Sequence, residues 1–181
     1  GLQEGAKTLL ITGGSQGSLA INEAISQITP SLLESGWQII WQTGAITYEK
    51  FNVQYKETPG VYIFDFTPLM PQLMNLATLA ITRAGAMTIA ELEATELPSI
   101  LIPLPTAAEN HQYFNALAQE KKGVAVLIQQ DALSSEKLLH TIRNIDLVAL
   151  RQKLTLLPKT NASENIVDNI LSYFKEIRYA R

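Results

Sequence analysis

Residues 7–18, KTLLITGGSQGS, decide the fold of this 181-residue chain. The first six residues form a short apolar run, which is typical of a buried parallel strand. The run ends at Gly13 and Gly14, and from Leu19 onward apolar side chains recur at helical spacing. A strand, a glycine turn and a helix in this order predict the first half of a βαβ unit.

The same alternation continues along the chain. Further strands are predicted at 37–42, 61–64, 78–82, 99–102 and 124–128. Helices are predicted at 19–33, 48–56, 69–76, 86–95, 110–121, 134–144, 146–156 and 163–177. Pro30 is a candidate break in the first helix. The pattern predicts one α/β domain over residues 1–181, a Rossmann-like parallel sheet of about six strands with helices on both faces.

Composition excludes several classes of protein. Hydrophobic residues make up 46% and charged residues 17%, which indicates a globular chain. A net charge of −3 argues against a nucleic-acid partner. No apolar run is long enough for a transmembrane segment. Without cysteine and with two histidines, the chain lacks thiolate or histidine-rich metal sites, so we expect no metal or other cofactor.

Ligands of such sheets bind beyond the carboxyl ends of the strands, so the strand-to-helix loops are the candidate sites. In the first loop, Gly14, Ser15 and Gln16 precede a helix whose free amides favour an anion. The alternative is a plain glycine turn in which Ser15 or Ser18 caps the helix. The loop matches neither the dinucleotide fingerprint nor the P-loop.

The second loop, RAGAMTIAE at residues 83–91, follows the fourth strand. The guanidinium of Arg83 can donate two parallel hydrogen bonds to a phosphate. Thr88 falls in the first helical turn beside Met87. Glu91 lies one turn further and suits a ribose diol. The alternative is a capping box formed by Thr88 and Glu91, with Arg83 in a surface salt bridge.

Two more loops carry polar or aromatic side chains. His111, Gln112 and Asn115 begin the helix after the fifth strand and suit a hydroxyl-rich ligand, although capping or packing explains them equally well. After the third strand, Phe66 can stack on a planar base while a neighbouring backbone amide and carbonyl read the edge of that base. Core packing is the alternative for Phe66.

Four segments together closely resemble the MurG family of UDP-N-acetylglucosamine–N-acetylmuramyl-(pentapeptide) pyrophosphoryl-undecaprenol N-acetylglucosamine transferases. They are GGSQGS with Asn22, RAGAMTIAE, ELPSILIPLP and HQYFNA, and they occur in the family's order. The resemblance implies the C-terminal half of a GT-B glycosyltransferase, a domain that binds UDP-GlcNAc. It implies donor-binding roles for Gly14, Ser15, Gln16, Phe66, Thr67, Arg83, Met87, Thr88, Glu91, His111, Gln112 and Asn115.

Within that set, the resemblance assigns Ser15, Met87 and Thr88 to the diphosphate. Phe66 and the backbone of Thr67 hold the uracil in this assignment, and Glu91 binds the ribose. His111 and Gln112 face the sugar, whereas Arg83 is either structural or at the edge of the phosphate site.

The implied reaction is inverting transfer of GlcNAc to lipid-linked muramoyl-pentapeptide (lipid I to lipid II) in peptidoglycan synthesis. The resemblance further implies a cytoplasmic enzyme at the inner face of the bacterial plasma membrane. We expect the N-terminal domain, with the acceptor site and the base, to be absent from this chain, which would then contain no catalytic residue. Thr106 stands where relatives often have histidine, and His111 is glutamine in some relatives.

Two alternatives stay open at this point. The first is a GT-B domain for a different UDP- or TDP-sugar, and the second is a non-catalytic partner-binding module of the same fold. An NAD-dependent enzyme fits poorly, since the fingerprint is absent and no acidic residue closes the second strand.

Overall fold

The computed structural model describes residues 2–158, 166–167 and 169–173. The strands are β1 (Lys7–Thr12), β2 (Trp37–Gln42), β3 (Val61–Phe64), β4 (Leu79–Thr82), β5 (Ser99–Leu101) and β6 (Ala125–Leu127). The helices are α1 (Leu19–Glu34), α2 (Tyr48–Tyr55), α3 (Met70–Leu76), α4 (Ala86–Ala94), α5 (His111–Lys122), α6 (Ser135–Asn144) and α7 (Leu147–Thr155). All strand pairs are parallel, in the order β3-β2-β1-β4-β5-β6. The predicted fold class is confirmed.

Helices cover both faces of the sheet because successive side chains of each strand point to opposite sides. Leu9 and Ile11 of β1 join the core beneath α1, α2 and α6. Leu10, between them, joins the core beneath α3, α4 and α5. The central strands are therefore apolar on both faces, which explains why they appear in the sequence as continuous apolar runs.

Pro30 does not break the first helix, contrary to the expectation from the sequence. Helix α1 runs through it from Leu19 to Glu34. Proline has no N–H to give to the carbonyl four residues earlier, which here belongs to Ser26. The hydroxyl of Tyr55 donates to that carbonyl over 2.7 Å instead. A side chain from α2 thus replaces the missing backbone hydrogen bond.

The helix predicted at 163–177 falls partly outside the described residues, and within it residues 166–167 and 169–173 are helical. In the described parts of the chain, no helix combines the length and the apolar character needed to cross a bilayer.

Candidate functional site

The centre of the sheet contains the point at which the strand order reverses. From β1 the chain proceeds through β2 to β3 on one side, then crosses to β4 on the other. Thr12 and Thr82, the last residues of β1 and β4, are register partners. The loops that follow these two strands therefore start side by side and enclose the crevice in which doubly wound sheets bind ligands.

The loop after β1 is a tight glycine turn with an exposed tip. The N–H of Gly17 donates to the carbonyl of Gly14 over 3.0 Å, and both glycines have positive φ. Ser18, not Ser15, caps α1 by accepting from the N–H of Ile21. Gly14, Ser15 and Gln16 stay exposed at the tip of the turn, where they can meet a ligand.

Two glycines let this turn press against the loop after β2. A Cβ on Gly17 would collide with the carbonyl of Thr43, and a Cβ on Gly44 would collide with the carbonyl of Gln16. Both positions also have φ near +80°. Glycine is therefore required here both for the close approach and for the backbone conformation.

The first turn of α4 carries no side-chain cap. Gly85 is the N-cap, and the first helical bond runs from the N–H of Ile89 to the carbonyl of Gly85 over 3.0 Å. The N–H groups of Ala86, Met87 and Thr88 thus have no acceptor within the helix. They give this end of the helix a positive potential at the mouth of the crevice.

The capping-box alternative for Thr88 and Glu91 is wrong. A capping box needs its serine or threonine at the N-cap position, whereas Thr88 is the third residue inside α4. Glu91 is half-buried one turn later, and no described residue pairs with its carboxylate. Met87 beside them is 76% exposed. An unpaired carboxylate next to free helical amides is suited to a ligand that carries both hydroxyls and an anion.

Arg83 joins the loops after β1 and β4, and its guanidinium group is not free. Its Nη1 donates to the carbonyls of Ile102 (3.0 Å) and Pro103 (3.1 Å). Its Nη2 donates to Ser18 Oγ (2.7 Å) and to Gln130 Oε1 (2.6 Å). In this structure Arg83 therefore has a structural role. It forms no surface salt bridge with a described carboxylate.

Burial lowers the pKa of the Arg83 guanidinium, because desolvation disfavours its charged form. Arginine nevertheless remains protonated at neutral pH. All four of its terminal donors face neutral oxygens, so its positive charge is not cancelled by a neighbouring carboxylate among the described residues. Arg83 therefore adds positive potential to the crevice while all four terminal donors bond to oxygens of the protein.

Gln112 and Asn115 clamp the loop that follows β4. Gln112 Oε1 accepts from the N–H of Ala84 (3.3 Å) and from that of Leu104 (3.0 Å). Asn115 Nδ2 donates to the carbonyl of Ala84 over 3.1 Å. Both polar groups of the buried Ala84 are thus held by α5. Gln112 keeps its Nε2 donor without a described partner, and this group is left for a ligand.

His111 is exposed at the start of α5. Its Nδ1 lies 2.8 Å from the carbonyl of Ala108, an acceptor, so the neutral ring carries its proton on Nδ1. In that tautomer Nε2 is an acceptor. Glu109 and Asn110 just before it have φ of 50° and 54°, a left-handed conformation that often marks functional loops.

Phe66 projects from the loop after β3 and is 58% exposed, so core packing does not explain it. The N–H of Thr67 is already engaged, because it donates to Gln42 Oε1 over 3.2 Å. The predicted reading of a base by this amide is therefore not available in this conformation. The carbonyl of Phe66 has no described donor.

Two buried amides position these loops, and neither was assigned a role from the sequence. Gln42 lies at the carboxyl end of β2 and contacts the loops after β1 and β3. Asn22 in α1 donates to Thr43 O (2.9 Å) and accepts from Trp41 Nε1 (2.9 Å), which fixes α1 to the end of β2. The available signals were positional, since Asn22 falls at the helical spacing of Leu19 and Ile25 and Gln42 ends an apolar strand.

In the part of the chain that the structure describes, no three histidine, aspartate or glutamate side chains come together as a metal site would require. The expectation of a metal-independent site stays a prediction.

Fold and crevice together define a doubly wound, Rossmann-like α/β domain. The chain belongs to glycosyltransferase family 28, since the family's model for its C-terminal domain matches residues 8–171. The crystal structure of MurG from Acinetobacter baumannii superposes with a TM-score of 0.76 at 27% identity, covering 95% of this chain and 54% of that one. The calicheamicin glycosyltransferase CalG4 has a TM-score of 0.78 over 97% of this chain and 45% of its own, but at 14% identity it supports the fold alone.

Two relatives share the name UDP-N-acetylglucosamine–N-acetylmuramyl-(pentapeptide) pyrophosphoryl-undecaprenol N-acetylglucosamine transferase. The protein from Listeria monocytogenes is 35% identical over 97% of this chain and 50% of its own length. The protein from Carboxydothermus hydrogenoformans is 40% identical over 88% of this chain and 40% of its own length. The chain thus spans half or less of the length of these relatives.

Proposed function

We propose that this domain binds UDP-GlcNAc and acts as the donor-binding half of an inverting N-acetylglucosaminyltransferase of peptidoglycan synthesis. The observation that carries the proposal is the uncapped first turn of α4, which follows β4, the strand paired with the one that leads into the glycine turn of residues 13–17. The names and the matching halves of the relatives support this substrate.

The diphosphate lies, in this proposal, between Ser15 and the amides of Met87 and Thr88. Backbone N–H groups at a helix start are a general solution for phosphate, since they combine donors with a positive dipole end. The charge of Arg83 behind the two loops strengthens the same potential, which is screened little in a partly buried crevice.

The nucleoside lies, in this proposal, beside Glu91 and Phe66. The unpaired carboxylate of Glu91 accepts from the two ribose hydroxyls, and the exposed ring of Phe66 stacks on uracil. The carbonyls of Phe66 and Thr67 offer acceptors for the N3–H of that base. The N–H of Thr67 has no part in this contact while Gln42 holds it.

The sugar lies toward α5 in the proposed complex. His111 contributes its Nε2 acceptor, and Gln112 contributes the Nε2 donor that its clamp on Ala84 leaves unused. Asn115 does not contact the sugar in this proposal and acts by holding the carbonyl of Ala84. The sugar subsite is therefore built from the same residues that fix the shape of the diphosphate loop.

The reaction we infer is attack of the C4 hydroxyl of lipid-linked muramoyl-pentapeptide on the anomeric carbon, with inversion and release of UDP. As negative charge develops on the departing diphosphate, the fixed amides of α4 stabilise it without reorganisation. The acceptor site and the base belong to the N-terminal domain, and the intact enzyme works at the inner face of the plasma membrane. This domain alone is then inactive in transfer.

Titration calorimetry of the folded domain with UDP and UDP-GlcNAc tests the proposal. We expect saturable binding of both at up to millimolar concentrations. Absence of heat in a sample shown to be folded by circular dichroism would overturn it. A parallel panel of other UDP- and dTDP-sugars separates a GlcNAc site from one for a different donor, since tighter binding of another sugar would reassign the substrate.

A further inference from the structure

Gln42 is a buried amide that joins two loops of the crevice. Its side chain, at the carboxyl end of β2, is 3% exposed. Nε2 donates to Thr12 Oγ1 and to the carbonyl of Gly14, both over 3.2 Å. Oε1 accepts from the N–H of Thr67, also over 3.2 Å. Both donors and the acceptor are thus in use, and the reversed amide would set a donor against the Thr67 N–H.

These contacts orient two peptide groups in two different loops, those after β1 and β3. Gly14 is held through its carbonyl by Gln42 and through its N–H by Thr12 Oγ1 over 3.2 Å. The N–H of Thr67 points inward to Gln42, and in a trans peptide the preceding carbonyl points the opposite way. Gln42 therefore directs the carbonyl of Phe66 outward, beside the exposed ring of the same residue.

We propose that Gln42 is a positioning residue that fixes the base loop relative to the diphosphate loop and thereby sets selectivity for uracil. This inference rests on the proposed function, because it concerns how the same site reads a nucleoside diphosphate. Uracil presents an N3–H donor where cytosine presents an acceptor ring nitrogen. A carbonyl held in one direction distinguishes the two bases, whereas a carbonyl free to rotate distinguishes them less.

The chain provides a matched control on the same strand. Gln38 is four residues earlier in β2, on the same face of the sheet, and is 6% exposed. Its Nε2 donates to Thr8 Oγ1 (2.8 Å) and to the carbonyl of Gln3 (3.1 Å), and its Oε1 accepts from the N–H of Gln3 (2.9 Å). Gln38 thus has the same bonding pattern as Gln42 at the amino end of the sheet, away from the crevice.

The test compares Gln42→Met with Gln38→Met, each a loss of the amide at similar volume. Titration calorimetry measures the dissociation constants of UDP and CDP, and urea unfolding measures stability. We expect Gln42→Met to weaken UDP about tenfold and to reduce the CDP-to-UDP ratio of dissociation constants at least about threefold. Gln38→Met loses comparable stability but keeps both values within about twofold.

The outcomes separate the inference from the function on which it rests. A wild-type domain that binds no UDP refutes the proposed function itself. A wild-type domain that binds UDP, with a CDP-to-UDP ratio that Gln42→Met leaves unchanged, refutes the role of Gln42 alone. If Gln42→Met does not fold, Gln42→Asn replaces it, since this amide is one methylene too short to reach both loops. An unchanged ratio in that variant counts equally against the inference.

Discussion

Arg83 Nη2 lies 2.7 Å from the Oγ of Ser18, a residue 65 positions earlier in the chain. The same Oγ accepts from the N–H of Ile21 and caps α1. One hydroxyl therefore joins the loops after β1 and β4 at the reversal point of the sheet. The relative position of these loops, and with it the width of the crevice, depends on a guanidinium that need not contact the ligand.

Replacing Arg83 by lysine should destabilise the domain by about 2–3 kcal/mol, since an ammonium cannot reach four acceptors in two directions. UDP should bind more weakly as well, because Ser18 and the carbonyl of Pro103 lose their common donor. Urea unfolding and calorimetry measure the two effects. Arg143→Lys, at an exposed position in α6, is the control and should stay within about 0.5 kcal/mol of wild type. Equal stabilities for the two variants would contradict the role of Arg83 in joining the loops.

Glu91→Ala should weaken UDP at least about tenfold, because it removes the acceptor for the ribose hydroxyls. Its unfolding free energy should change by less than about 0.5 kcal/mol, since the carboxylate supports no described contact. Glu93→Ala on the same helix removes a carboxylate that pairs with Lys122 at 2.9 Å, away from the crevice. That control should bind UDP normally, and an equal loss of affinity in both variants would remove Glu91 from the site.

His111→Ala should leave the affinity for UDP within about twofold of wild type and weaken UDP-GlcNAc about three- to tenfold. The reason is that only the Nε2 acceptor, which faces the sugar in our proposal, is lost to the ligand. His140 is the other histidine and is exposed on α6, so His140→Ala serves as the control. A His111 variant that weakens both ligands alike would place this residue outside the sugar subsite.

Gly17→Ala should destabilise the domain by more than about 2 kcal/mol, because it combines an unfavourable φ with a clash against the carbonyl of Thr43. Gly36 has a similar φ of +78° but nothing within 4 Å of the position of a Cβ. Gly36→Ala therefore isolates the conformational part and should cost only about 1 kcal/mol. Thermal or urea unfolding compares them, and similar losses would mean that the close approach of the two loops contributes nothing.

Tyr55→Phe should destabilise the domain by about 1–2 kcal/mol, since the carbonyl of Ser26 in α1 then lacks its donor. The loss should shrink when Pro30→Ala is added, because alanine restores the backbone N–H. A double-mutant cycle measured by urea unfolding yields this coupling directly. Additive effects of the two substitutions would refute the idea that the Tyr55 hydroxyl replaces the N–H that Pro30 lacks.

The sequence predicts the sheet and its helices well because the relevant signals are local. The buried strands are apolar runs, and glycine turns separate them from helices with apolar spacing, as in residues 7–18. The ends of elements were harder to predict. Pro30 signals a break by its own chemistry, and only the tertiary contact with Tyr55 explains why the helix continues.

The site was predicted as a set of loops. Which residues bind the ligand and which hold the loops depends on contacts between segments distant in the sequence. Arg83, Gln112 and Asn115 were assigned to the ligand, yet their hydrogen bonds to Ser18, Ala84 and Leu104 show that they also hold the loops. Gln42 offered no motif at all. Its importance follows from register, which places the end of β2 between β1 and β3.

The glycine at the N-cap of α4 has a consequence for anyone who engineers this domain for heat resistance. Gly85 has φ of −67°, and the nearest atom to a Cβ there is Thr88 Oγ1 at 3.9 Å. Serine therefore fits this position, and as a better N-cap it would stabilise the domain by roughly a few tenths of a kcal/mol, which raises the melting temperature modestly. Its hydroxyl would also occupy the amides that bind the diphosphate in our proposal. A screen that scores melting temperature alone would thus select a variant with weakened UDP binding as an improvement.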